Sequence, residues 1–128
     1  MHPPLHAIPF VGALFLLITL LALNVSRKRA VTNIYLGDGG NRGLGFAIRA
    51  HGNALEHGLL LAGALVLAEA VGLPAGRVLA LGWLILGARL LHAGGFLRLG
   101  KRFSVSGMVA TYALELWLSV YLLLFTIR

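Results

Sequence analysis

The stretch FVGALFLLITLLAL, residues Phe10–Leu23, contains a single polar side chain, that of Thr19. It lies within an apolar segment from about Leu5 to Val25, which is close to the ~20 residues that a helix needs to cross the hydrocarbon core of a bilayer. Only helices and closed barrels span membranes, and a continuous apolar run lacks the alternating pattern of a barrel strand. The stretch therefore predicts a membrane-spanning α-helix.

A cleaved signal peptide is the competing interpretation of this segment. Signal peptides begin with a basic region and end at a small-x-small cleavage site. No Lys or Arg precedes the apolar run, and its end at residues Asn24–Arg27 does not match a cleavage site of that kind. We therefore predict that the helix is retained.

Three further apolar segments run from about Phe46 to Val71, from Gly76 to Leu97 and from Val105 to Ile127. The composition agrees with four membrane helices, because 59% of the 128 residues are hydrophobic and 12% are charged. A soluble domain has about 45–50% apolar and about 25% charged residues.

The connections between the last three segments, at Gly72–Ala75 and Arg98–Ser104, are short, which favours antiparallel neighbours. We predict an all-α membrane protein in which residues 1–128 form a single domain. Its architecture is an up-down antiparallel bundle of four transmembrane helices.

Lysine and arginine residues are concentrated on one side of this bundle. The first connection, Arg27–Gly45, and the third hold seven of the eleven basic residues, namely Arg27, Lys28, Arg29, Arg42, Arg98, Lys101 and Arg102. The opposite side holds Arg77 and Arg128. Because basic loops stay in the cytoplasm, we predict that loops one and three are cytoplasmic and both termini outside. Topology explains the net charge of +7, so we expect no nucleic-acid partner.

The second segment carries charges at membrane depth, where each costs about 2.5–3.5 kcal/mol on insertion scales. Arg49, Asn53 and Glu56 are spaced i, i+4 and i+7, so they share one helix face within ~12 Å of the helix entry. In the third segment, Arg89 and Phe96 share a helix face with His92, at the end that lies on the same side of the membrane.

Two polar faces in one leaflet predict a cavity open to the cytoplasm, in which guanidinium groups hold an anionic, hydrogen-bonding ligand. The alternative is a structural role, in which the charges join helices, for example as a pair of Arg89 with Glu56. His57 lies at the edge of the polar face and fits either role.

Other polar residues do not suggest a site. We predict no metal centre, because the chain has no cysteine and His51 and His57 do not share a helix face. Glu69 is expected to point outward and Glu115 to pair with a neighbouring helix. A stripe of small residues on the opposite face of the second helix predicts close packing. Its members are Ala50, Ala54, Gly58 and Ala62.

The RxxxNxxE motif that begins at Arg49 resembles the signature of the MAPEG family, the membrane-associated proteins in eicosanoid and glutathione metabolism. The ARLxHxxG stretch that begins at Ala88 is similar to the family's second conserved stretch. The sequence RAHGNxxE is most similar to that of the small bacterial branch, and the resemblance covers nearly the whole chain. It implies a homotrimer in a bacterial inner membrane, in contact with lipids.

Characterised members bind glutathione between adjacent subunits near the cytoplasmic surface, so the resemblance implies glutathione as co-substrate. Glu56 would contact its ammonium group and Arg49 a carboxylate. The other residues at matching positions are Asn53, His57, Arg89, His92, Phe96 and, more loosely, Lys28.

The chain departs from the catalytic members at several positions. The arginine that activates the thiol in leukotriene-C synthases aligns with Phe103, and a shift of one residue would restore a cation there. The catalytic residues implied are therefore Arg102 or Lys101, with His92 as a proton donor. His57, His92 and Phe96 stand where catalytic members often carry tyrosines.

Two functions follow from these residues. The first is a glutathione transferase-like enzyme that conjugates glutathione to small lipophilic electrophiles. The second is a non-catalytic membrane protein of the same fold, which binds a lipid or a small anion or serves as an accessory subunit.

Overall fold

Proline, which interrupts a helix interior but is tolerated in a first turn, occurs in this chain only before or at the starts of helices. The computed structural model describes residues 3–126, and all regular structure within them is helical. A π-helical turn joins the third helix to the fourth. The elements are α1 (Ile8–Thr32), α2 (Arg42–Ala70), α3 (Ala75–Gly94), the π-helical turn (Gly95–Leu99) and α4 (Lys101–Thr126).

Helices α1, α2 and α4 are longer than the apolar segments that predicted them. Helix α1 continues past the predicted end at Val25 to Thr32, and α2 begins at Arg42. The predicted loop Arg27–Gly45 is therefore wrong, and the connection consists of residues 33–41. Lys and Arg are good helix formers and favour a helix C-terminus, so hydropathy marks the part of a helix in lipid rather than its end.

The third predicted loop, Arg98–Ser104, is also wrong. Arg98 belongs to the π-helical turn, and α4 begins at Lys101, so that Gly100 alone separates the two elements. Its φ of 94° lies in the left-handed region, which glycine adopts without strain. Ile127 and Arg128, which the sequence assigned to the last segment and its outer end, lie outside the described residues.

Contacts at the helix ends show that successive helices run antiparallel. Ala7, before α1, donates its backbone N–H to Glu69 at the end of α2. At the opposite end, the rings of Phe46 in α2 and Phe96 after α3 lie 6.4 Å apart between centroids. Arg89 of α3 reaches Thr111 of α4. The order is up-down, as predicted.

Three helical segments among the described residues are long and apolar enough to cross a membrane, namely Ile8–Thr32, Ala75–Leu99 and Lys101–Phe125. Helix α2 is not among them. It has 29 residues and would extend about 43 Å, at about 1.5 Å per residue, but it carries Arg49, Glu56 and Glu69.

The small-residue stripe of α2 packs against α1, as predicted. Ala50 and Ala54 are buried in one apolar cluster with Leu21. A Cβ atom added at Gly58 would lie 3.3 Å from a methyl carbon of Ile18. The absence of larger side chains therefore sets the close approach of the two helices.

The prediction for Glu69 is wrong, because its carboxylate points inward and the residue is only 5% exposed. Its oxygens accept the backbone N–H groups of His6 at 3.0 Å and of Ala7 at 2.7 Å. The ring of His6 lies at 2.7 Å from the same carboxylate. The first N–H groups of a helix have no intrahelical partner. Glu69 accepts such N–H groups at the start of α1, where a negative charge is also favourable.

Candidate functional site

The predicted polar face of α2 lines a cavity of about 230 Å³. Arg49, Asn53 and Glu56 of α2 line it beside Gly52, and Phe96 of the π-helical turn contributes the rest of the wall. The helical spacing of the motif accounts for this convergence. Because α2 begins at Arg42, Glu56 lies about 21 Å along the helix rather than within ~12 Å of its entry.

The charged groups of this cavity face outward from the subunit. Arg49 and Glu56 are exposed, and neither has a hydrogen bond or ion pair with another described residue. Where a helix crosses a membrane, unpaired charges of this kind are costly unless a ligand or a neighbouring molecule meets them.

Arg89 does not line this cavity with Arg49, and the structure places it behind the cavity. The residue is 1% exposed. Its guanidinium donates to the Asn53 side-chain oxygen and, at 3.0 Å, to the Thr111 hydroxyl, while its Nε has no partner among the described residues. The anticipated ion pair between Arg89 and Glu56 is absent within residues 3–126.

This arrangement fixes the orientation of the Asn53 amide. Its oxygen is occupied by Arg89, so the nitrogen, with two N–H donors, is the group left to face the cavity. Arg89 therefore acts on this site by holding Asn53, and Asn53 offers donors to a ligand.

His57 turns away from the cavity toward α4. Its Nδ1 lies 2.7 Å from a carboxylate oxygen of Glu115, and its ring meets Tyr112 edge to face at 5.3 Å between centroids. The prediction that Glu115 pairs with a neighbouring helix is confirmed. His57 therefore has the structural role rather than a place in the ligand site, because its imidazole and the Glu115 carboxylate are hydrogen-bond partners.

His92 is buried, with 2% of its surface exposed. Its Nδ1 donates to the backbone oxygen of Ser104 at 2.7 Å, since a carbonyl can only accept. Its ring meets Phe96 edge to face at 5.0 Å between centroids. His92 therefore supports the wall residue Phe96 and does not itself line the cavity.

The remaining predicted residues lie around the basic end of the bundle. Lys28 lines a separate cavity of about 250 Å³ together with Phe96 and Arg98. Lys101 lines a third, also bounded by Phe96. Arg102 is exposed on the first turn of α4. The structure does not gather these cations around the cavity of Arg49.

Sequence reasoning missed the contribution of α4. Thr111 and Ser104 are buried partners of Arg89 and His92, yet neither stands in a motif. Thr111 also donates its hydroxyl to the Gly107 carbonyl at 2.8 Å. The partners that α4 offers to Arg89 and His92 could be found only by knowing which helices pack together. No group of three metal-ligating side chains occurs within residues 3–126.

The chain is similar to known membrane proteins over nearly its whole length. A model of the MAPEG family matches residues 8–124. The chain is 32% identical over 130 aligned residues to the inner membrane protein YecN of Escherichia coli K12, covering 92% of this chain and 99% of that protein. The protein of the same name in Escherichia coli O6:H1 matches equally well. No solved structure matches.

Proposed function

Because the chain belongs to the MAPEG family, we propose that it is a four-span inner-membrane protein that binds glutathione and conjugates it to lipophilic electrophiles. The observation that carries this proposal is the outward-facing cavity of α2. There Arg49 and Glu56 present unpaired charges of opposite sign beside the fixed donors of Asn53.

The cavity walls favour a zwitterionic ligand. A cation at Arg49 suits a carboxylate, and an anion at Glu56 suits an ammonium group. The donors of Asn53 suit a carbonyl or carboxylate oxygen between them. Glutathione carries all three groups along one short peptide, and its carboxylates and ammonium match this order of charges.

Two further features belong to the proposal. Helix α2 spans the bilayer despite its charges, because its neighbours and the ligand meet them. The subunits assemble, as a homotrimer by the family resemblance, since Arg49 and Glu56 point out of a single subunit and an adjacent one would close the cavity. The basic end of the bundle, formed by the ends of α1 and the π-helical turn and by the starts of α2 and α4, then faces the cytoplasm.

In the conjugation step, the thiol of glutathione loses its proton to water and the sulfur attacks an electrophilic carbon. The carbon–sulfur bond forms as the bond to the leaving group breaks, and the leaving group takes the electron pair. A nearby cation would stabilise the thiolate. Of the two residues that the resemblance implies, Lys101 lines another cavity, which leaves Arg102, supplied by an adjacent subunit.

A non-catalytic binding protein is the second candidate function. His92 stands where catalytic members often carry a tyrosine, yet it is buried and donates to Ser104. It therefore offers no proton to the cavity unless the wall around Phe96 moves. This favours binding without transfer, of glutathione or of another small anion.

Titration calorimetry of the purified protein with glutathione tests the site. Arg49→Ala and Glu56→Gln should each weaken binding by about tenfold or more, the effect of losing one charge-assisted hydrogen bond. Arg77→Ala, at the opposite end of the bundle, should leave binding unchanged. Wild-type protein that binds no glutathione at millimolar concentration would overturn both glutathione-based functions.

A conjugation assay then separates the two candidates. Wild-type protein is mixed with glutathione and a generic aromatic halide, and release of the conjugate is followed. Turnover that Arg49→Ala reduces supports the transferase. Binding in calorimetry without turnover above background supports the non-catalytic protein.

A further inference from the structure

The cavity that Lys101 lines has a volume of about 420 Å³ and opens at the basic end of the bundle. It lies between the start of α2, the π-helical turn and the start of α4, and we refer to it as the π-turn cavity. Phe96 is the one residue that it shares with the cavity of Arg49. The two cavities are therefore separate sites that share one aromatic ring.

The walls of the π-turn cavity combine apolar surface with positive charge. Phe46, Phe96 and Leu97 form the apolar part. The polar part consists of Arg98, Lys101 and Ser104, and no acidic residue lines the cavity. A ligand that matches both parts has an acidic head and an apolar chain.

The π-helical turn creates this combination. The backbone N–H of Gly100 donates to the carbonyl of Gly95 at 3.1 Å, five residues back. This wide turn brings two successive side chains, Leu97 and Arg98, to the same cavity. Such turns are rare and often mark functional sites.

The cavity lies at the depth of lipid headgroups. The helical segment Ala75–Leu99 has 25 residues and extends about 37 Å at about 1.5 Å per residue, whereas the hydrocarbon core is ~30 Å thick. Arg98 and Lys101, at its basic end, therefore lie at the interface. Both are exposed, so an acidic group can reach them from the bilayer.

We propose that the π-turn cavity binds an anionic amphiphile from the membrane. Its acidic head lies between Arg98 and Lys101, within reach of the Ser104 hydroxyl. Its alkyl chain follows Phe96 and leaves along the partly exposed Leu97 into the bilayer. This site does not depend on glutathione, because Arg49 and Glu56 take no part in it.

Lipid titration of the purified protein in neutral detergent tests this proposal, with native mass spectrometry to count bound lipid. Phosphatidylglycerol should bind at least about fivefold more tightly than phosphatidylcholine with the same chains, as a single interfacial cation accounts for about that factor. Arg98→Gln and Lys101→Gln should each weaken phosphatidylglycerol binding by about fivefold. Arg42→Gln, an exposed arginine on the same side but outside the cavity, is the control and should change it less than twofold.

Two further measurements separate an amphiphile from a simple anion. Leu97→Ser should weaken phosphatidylglycerol binding, and inorganic phosphate should not displace the lipid. Equal binding of the two lipids, an equal loss in Arg42→Gln, or displacement by phosphate would each overturn the proposal. Wild-type protein that binds phosphatidylglycerol but not glutathione would uphold this site and remove the proposed function.

Discussion

At the scale of single residues, the site depends on which atoms of Asn53 and Arg89 are already engaged. Arg89 matches the ARLxHxxG stretch, and the sequence placed it on the ligand. The structure instead buries it against Asn53 and Thr111, two neutral partners. A buried guanidinium is retained here because it orients the amide that faces the cavity, which is a positioning role.

This role predicts opposite effects for the two partners of Arg89. In Asn53→Asp the carboxylate still accepts from Arg89, so the melting temperature should not fall, but the donors toward the cavity are lost. Glutathione affinity in calorimetry should therefore decrease by at least about tenfold.

Thr111→Val is the matched variant, because it removes the other hydrogen bond of Arg89 without changing the cavity. It should lower the free energy of unfolding by about 1 kcal/mol and leave glutathione affinity within about twofold. An Asn53→Asp protein that binds glutathione normally would contradict the proposed donor role of Asn53.

At the scale of elements, the contact of α3 with α4 holds the site in place. A Cβ atom added at Gly107 would lie 2.5 Å from the His92 backbone nitrogen and 2.7 Å from the Ala88 carbonyl oxygen. Backbone atoms cannot move aside as a side chain can. The absence of a side chain at Gly107 therefore sets the spacing that lets His92 and Arg89 reach α4.

Gly107→Ala should separate these helices and lower the free energy of unfolding by about 1–3 kcal/mol, as overpacking does. Gly87→Ala is the control in the same pair of helices, because nothing lies within 4 Å of its added Cβ. It should be neutral or stabilising by up to about 1 kcal/mol, given the poor helix propensity of glycine. Thermal unfolding in detergent measures both, and equal stabilities would rule out the close contact.

At the scale of the whole molecule, the topology depends on α2. Three helical segments of the described chain are apolar enough to span a membrane, and an odd number of spans would place the two ends on opposite sides. If α2 also crosses, then the connection before it and the turn after it lie on opposite sides. Whether α2 spans the membrane despite its charges therefore decides on which side every loop lies.

Labelling of single cysteines can decide this point, because the chain has no cysteine of its own. Tyr35→Cys lies in the connection before α2 and Gly76→Cys just after it, and both positions are exposed. A membrane-impermeant maleimide should label Gly76→Cys in intact spheroplasts and Tyr35→Cys only after permeabilisation. Labelling of both from the same side would show that α2 does not span.

The sequence by itself determined the helical class, the order of the helices and the polar face of α2. These properties follow from hydropathy and helical periodicity, which are local along the chain. Helix ends were placed poorly, as in the predicted loop Arg27–Gly45, because helices continue beyond the lipid-facing part into polar residues.

Only the tertiary structure decided which polar groups meet. It turned Glu69 inward onto the start of α1, paired His57 with Glu115, and placed Arg89 behind Asn53 instead of in the cavity. The physical reason is that a buried polar group takes whichever partner the neighbouring helix offers. Helix periodicity gives the face on which a side chain lies, but the packing of other helices decides what it contacts.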